Sequence, residues 1–174
     1  VLIEMNEMTD GSKKVSVLFV CLGNICRSPT AHGVFRNLVM QAGLEDQIEI
    51  DSAGTAAFHI GKSPDGRSTD VALQRGIDMT DLRARKVDFG DFYVYDYILA
   101  MDDANYSNLV DMALPEHLDK VQMFLDYTQD FSETEVPDPY YGGEQGFEHV
   151  FDLVESASHG LLTHIKQHHL TSIK

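Results

Sequence analysis

Residues Val17 to Phe35 read VLFVCLGNICRSPTAHGVF. An apolar run ends at Cys21, and Arg27 and Ser28 close a short loop before a proline and a helical pattern. The run VSVLFV over 15–20 is β-branched and apolar without clean alternation, which predicts a strand buried on both faces, as in a parallel sheet. Pro29 suits the first turn of a helix, with Ser28 as its cap. Ala31, Val34, Phe35, Leu38 and Val39 continue at helical spacing, and Gly43 marks the stop. The stretch reads as strand, tight loop and helix, with a thiol, a guanidinium and a hydroxyl gathered in the loop.

The rest of the chain repeats this alternation. IEIDSA (48–53), YDYILAM (95–101) and KVQMFL (120–125) predict three further strands. One helix is predicted from Pro64 and Asp65 through Leu73, ended by Gly76, and another over 102–113 with an acidic cap. In the last helix Phe147, Val150, Phe151, Val154, Ala157, Leu161 and Ile165 mark one apolar face. Residues 126–146 form a long loop rich in Asp, Pro, Tyr and Gly; loops of that length are functional or disordered. Residues 1–14 show no period and read as a flexible leader to a single domain over 15–174. Strands alternating with helices predict an open, mostly parallel α/β sheet with helices on both faces. Such sheets bind ligands beyond the carboxyl ends of their strands, where Cys21 lies.

Composition narrows the class. The 174 residues suffice for one real core, and a hydrophobic content of 43% is that of a globular protein. The formal net charge of −15 disfavours nucleic acid and anionic membrane as partners. No basic-then-apolar leader and no membrane-length apolar run is present, and the two cysteines are too few for a disulfide framework or a structural zinc site. A reducing, cytoplasmic setting is therefore expected. An anion site in so acidic a chain has to be built locally.

The loop has the means. Backbone N–H groups between Cys21 and Ser28 can converge on an anion, helped by the positive end of the following helix. A thiolate is favoured there, which predicts a lowered pKa and a nucleophilic Cys21. Arg27 offers a planar fork for two oxygens of phosphate or arsenate. Ser28 can hydrogen-bond the thiolate, and Gly23 permits close backbone approach. A lone cysteine at a strand end is ordinarily just a small buried residue; the full Cys-x5-Arg-Ser at a strand-to-helix turn is far more specific.

VCLGNICRSP resembles the phosphate loop of the low-molecular-weight protein tyrosine phosphatases. DSAGTAAFHIGKSPDGRS, YDYILAMD and EVPDPYYGG follow in the family's order, so the likeness spans about residues 15–165. The resemblance implies a flavodoxin-like, four-stranded parallel sheet of the phosphotyrosine phosphatase I type. It implies that Cys21 attacks phosphorus, that Arg27 grips the oxyanion, and that Asp138 is the general acid and then base. It implies a pocket lined by Leu22, Gly23, Ile25, Cys26, Phe58, Tyr140 and Tyr141. Asn24 and Ser52 match a polar network that shapes the loop. Cys26 matches a thiol that pairs reversibly with the nucleophile on oxidation. No cofactor or metal is implied. The expected partners are phosphotyrosine-containing proteins and oxyanions, with the chain a monomer and weak self-association left open.

One position departs from the family. Arg75-Gly76 stands where His-Gly often completes the network, so either the loop is held differently or Arg75 points away. His164, His168 and His169 lack acidic or cysteine partners at ligand spacing and read as a solvated helix end. Three rival functions fit the sequence less well. A thioredoxin-coupled arsenate reductase needs relay cysteines that the chain lacks around 80–100. A phosphotyrosine-binding module would dispense with the nucleophile, arginine or acid, and all three are present. A nucleotide P-loop needs a lysine and a glycine pattern absent from CLGNICRS.

Overall fold

The computed structural model describes residues 13–140 and 144–170. The expected leader falls almost wholly on residues 1–12, and Tyr141 also lies outside the described residues. Four strands, β1 (Val15–Cys21), β2 (Ile48–Gly54), β3 (Tyr97–Ala100) and β4 (Val121–Met123), form one sheet in the order β2-β1-β3-β4. Every pairing is parallel. The α-helices are α1 (Arg27–Gln41), α2 (Gly66–Gln74), α3 (Asp91–Val94), α4 (Asp103–Met112) and α5 (Glu144–His169).

The sheet is buried on both faces because successive side chains of β1 leave it in opposite directions. Val17, Phe19 and Cys21 join a core with Phe35, Val39, Phe124, Phe151 and Val154, under α1 and α5. Leu18 and Val20 join a smaller core with Phe92, Tyr95, Ile98 and Leu109, under α3 and α4. Phe19 meets Phe35 and Phe124 edge-on, with centroids 5.7 and 5.0 Å apart. The apolar face expected on α5 is buried at all seven predicted positions.

The boundaries differ where local chemistry intervenes. Ser28 does not cap α1. The helix starts at Arg27 without a side-chain cap, because the Ser28 hydroxyl is committed to the loop. Strand β3 starts only at Tyr97: Asp96 is used instead as a clasp, accepting the Ser16 N–H at 2.9 Å. After Met123 the chain tightens into a 3₁₀ turn, Phe124–Tyr127, which ends β4 early. The short helix α3 was not foreseen. Asp65 and Asp102 cap α2 and α4, and Asp102 does so in a reciprocal capping box with Asn105. No helix among the described residues is long and apolar enough to cross a membrane.

In the sheet order β1 lies between β2 and β3, so the connections leave it in opposite directions. That reversal opens a crevice at the carboxyl end of β1, and Cys21 is its last residue.

Candidate active site

The loop from Cys21 to Arg27 curls over the end of β1. Its turn is made by Asn24, which has φ +58°, a left-handed conformation that asparagine tolerates better than most residues. That turn brings the Asn24 N–H to 3.3 Å from Cys21 Sγ. The Asn24 side chain then locks the shape. Its Nδ2 donates to Ser28 Oγ at 2.7 Å, and its Oδ1 accepts the Arg85 N–H at 3.0 Å. With the Asn24 amide donating to its oxygen, the Ser28 hydroxyl is left to donate its own proton. Cys21 Sγ lies 3.0 Å away. The sulfur thus faces the Asn24 N–H and the Ser28 hydroxyl, whose proton can also go to the Ala53 carbonyl oxygen 3.4 Å away, and the first turn of α1 adds N–H groups with no intrahelical acceptor.

Gly54, at the end of β2, supports the loop from behind. A Cβ there would come within 2.7 Å of the Leu22 carbonyl oxygen, so only glycine allows the strand to approach so closely. Asp65 N–H donates to the Ile25 carbonyl at 2.8 Å and pins the far side.

Arg27 is 3% exposed. Its Nη1 donates to Asp102 Oδ2 at 2.6 Å and to the Val136 carbonyl at 3.1 Å, while Nη2 lies 3.6 Å from Asp138 Oδ2. Burial disfavours its charge, but Cys21, Asp102 and Asp138 outweigh burial and raise its pKa above the ordinary value. The guanidinium is therefore a fixed cation with its orientation set by Asp102. Cys26 differs from its neighbours: burial, with help from Asp65, pushes its thiol up to about 12. It is held as the neutral thiol.

These groups line a cleft of about 280 Å³ together with Leu22, Gly23, Ile25, Phe58, His59, Asp138 and Tyr140. Cys21 and Arg27 lie buried, while Phe58, 72% exposed, stands at the rim. Asp138 is half-open to solvent and accepts the Tyr140 N–H at 3.0 Å, which fixes the turn that carries it.

Ser52 is a correction. Its hydroxyl is hydrogen-bonded to His32 Nδ1, 3.0 Å away, between β2 and α1; the loop's network runs through Asn24, Ser28 and Arg85 instead. Arg75 points away from the loop. Its guanidinium meets Glu148 and Asp152 at 2.6 Å each and lies over the Phe151 ring. The C-terminal histidines pack as ring contacts: His164 stacks on His168 at 4.0 Å, and His169 is hydrogen-bonded to the Tyr97 hydroxyl.

Sequence reasoning missed Asp102 and His59. Asp102 was read only as a helix cap, although its place directly after β3, beside β1, puts it at the mouth of the crevice. His59 follows the foreseen Phe58 and lies so close to the loop that a Cβ on Gly23 would come within 2.9 Å of its Cδ2.

Known proteins share this arrangement of chain. The family described as low molecular weight phosphotyrosine protein phosphatase matches residues 16–170. The Synechocystis sp. relative slr0328 is 51% identical over 86% of this chain and 95% of its own length. The Bacillus subtilis low molecular weight protein-tyrosine-phosphatase YfkJ is 42% identical over 88% of this chain and 97% of its own. A crystal structure of a protein tyrosine phosphatase from Entamoeba histolytica superposes with a TM-score of 0.86 at 40% identity, covering 88% of this chain and 98% of that one. On the family match and these near full-length likenesses, the chain belongs to the low molecular weight phosphotyrosine protein phosphatase family.

Proposed function

We propose that this chain hydrolyses phosphotyrosine and small aryl phosphates through a Cys21 thiophosphate intermediate, with Asp138 as general acid and base. The observation that carries the reading is one cleft lined by a buried cysteine, a buried arginine and a carboxylate at its mouth. The Asn24 N–H and the Ser28 hydroxyl face Cys21 Sγ, the atom that attacks phosphorus in this reading. The phosphate oxygens meet the loop N–H groups and Arg27, which neutralise charge as the P–O bond lengthens. Sγ forms a bond to phosphorus while the aryl oxygen leaves with its bonding pair and takes a proton from Asp138. Water then attacks phosphorus, Asp138 accepts its proton, and the S–P bond breaks to return thiolate and release phosphate.

Depth sets the substrate. Leu22, Ile25, Phe58 and Tyr140 give the cleft apolar walls above a polar floor. In this reading the apolar walls hold an aryl ring while the phosphate meets the floor, a reach a phosphoserine side chain lacks. The Entamoeba histolytica relative was crystallised with Hepes in its active site; Hepes carries a sulfonate, which has the tetrahedral oxyanion form of phosphate. Two free thiols fit a reducing, cytoplasmic setting, and the substrates in this reading are phosphotyrosine-containing proteins. Under peroxide, Cys21 sulfenic acid condenses with the Cys26 thiol, losing water to form a disulfide.

The test is hydrolysis of a phosphotyrosine peptide with EDTA present. Wild type turns over, Cys21→Ser does not, and Asp138→Ala is slowed. A wild type that binds the peptide without releasing phosphate would contradict the reading and favour a binding module.

A further inference from the structure

A nucleophile and a general acid must keep a fixed separation, yet Cys21 and Asp138 lie on different loops. Cys21 begins the loop before α1, and Asp138 belongs to the segment between the last 3₁₀ turn and α5. We propose that Arg67 is a positioning residue that ties these two loops together and so sets how well Asp138 protonates the leaving group. This proposal rests on the phosphatase reading above.

The tie can be followed atom by atom. Asp65 N–H donates to the Ile25 carbonyl of the Cys21 loop at 2.8 Å. The Asp65 carboxylate takes the backbone N–H of Arg67 at 2.9 Å, its Nε at 3.0 Å and its Nη2 at 3.0 Å. Three donors on one carboxylate leave the guanidinium little freedom. Its carbon then sits over two rings. Arg67 Cζ lies 5.4 Å from the Tyr140 centroid and 4.6 Å from the Phe147 centroid. Tyr140 belongs to the acid's own turn, since its N–H donates to Asp138 Oδ1 at 3.0 Å. Phe147, 3% exposed, anchors the start of α5 in the core. Contacts therefore run unbroken from Ile25 through Asp65 and Arg67 to Tyr140 and Asp138.

The chemistry asks for arginine. A guanidinium can hold a carboxylate with its edge and rings with its face, whereas an ammonium does neither in a fixed plane. The Arg67 side chain is 43% exposed, so as a surface ion pair it adds little to folding. What it restrains is the distance and angle of the acid, and those decide the efficiency of a proton transfer.

The experiment compares two substrates in one enzyme. A phosphotyrosine peptide needs its leaving oxygen protonated; dinitrophenyl phosphate, with a stable leaving phenolate, does not. In Arg67→Ala, kcat/KM for the peptide falls about tenfold, a fraction of the full general-acid contribution, while that for dinitrophenyl phosphate changes by less than about twofold. Arg67→Lys behaves like the alanine variant. In an Asp138→Ala background, Arg67→Ala leaves the ratio of the two substrates unchanged, because the residue acts through the acid. Misfolding lowers both substrates alike and cannot imitate a change in their ratio. Equal loss for both substrates, or a ratio change that persists without Asp138, would overturn the proposal. If wild type hydrolyses neither substrate, the phosphatase reading fails first and takes this one with it.

Discussion

Asp102 divides its carboxylate between two tasks. Oδ1 accepts the Asn105 N–H at 2.8 Å and caps α4, while Oδ2 accepts Arg27 Nη1 at 2.6 Å and aims the guanidinium into the cleft. A helix start is thereby fastened to the buried cation that lines the cleft. The fold supplies this geometry because β3 pairs directly with β1, so the residue after β3 emerges beside the loop after β1.

The two tasks can be separated. Asparagine caps a helix as well as aspartate does, but it brings no charge to Arg27. Asp102→Asn should keep the α4 cap, cost some stability because buried Arg27 loses a charged partner, and lower kcat/KM for an aryl phosphate by at least about tenfold. A large loss of stability with normal turnover would show that the carboxylate serves only the helix.

His32 predicts a pH dependence of folding. Burial lowers its pKa from 6.5 to about 4, against smaller opposing effects of Asp51 and Asp81. The unfolded chain therefore binds a proton between those values that the folded chain refuses. Its neutral form costs nothing above pH 6.5, and stability falls as pH drops toward 4, by up to roughly 3 kcal/mol. His32→Gln removes this component. Urea unfolding of both proteins across that range should show the wild type losing more, and parallel curves would refute the assignment.

Gly160 predicts a packing limit. A Cβ there would run into the Tyr127 carbonyl oxygen, a backbone atom that no rotamer can move. Gly160→Ala should force α5 off the 3₁₀ turn and cost roughly 3 kcal/mol, at the upper end for overpacking. A urea midpoint within error of wild type would mean that the helix shifts freely there.

The site was legible in the sequence to the extent that it is local. Cys21, Asn24, Arg27 and Ser28 occupy one loop, and the strand before it with the helix after it announces how that loop points. Asp138 was legible only through likeness, because an Asp-Pro alone is a turn. Asp102 and Arg67 were not legible as site residues. They touch residues that line the cleft, Arg27 and Tyr140, through the parallel strand order and through ring contacts between distant segments, neither of which leaves a local pattern. Ser28 shows the converse error. Its position suits a helix cap, yet a buried sulfur and an asparagine amide offer its hydroxyl stronger partners. Arg75 was readable only as a departure, and its two acidic partners on α5 explain why it leaves the loop alone.

The most direct test traps the intermediate. Asp138→Ala should be mixed with an aryl phosphate, quenched within one turnover, digested and weighed by mass spectrometry. The account predicts one added phosphoryl group on the peptide carrying Cys21, absent in Cys21→Ser. Phosphate released with no phosphorylated Cys21 peptide, or a phosphoryl group on another residue, would contradict it.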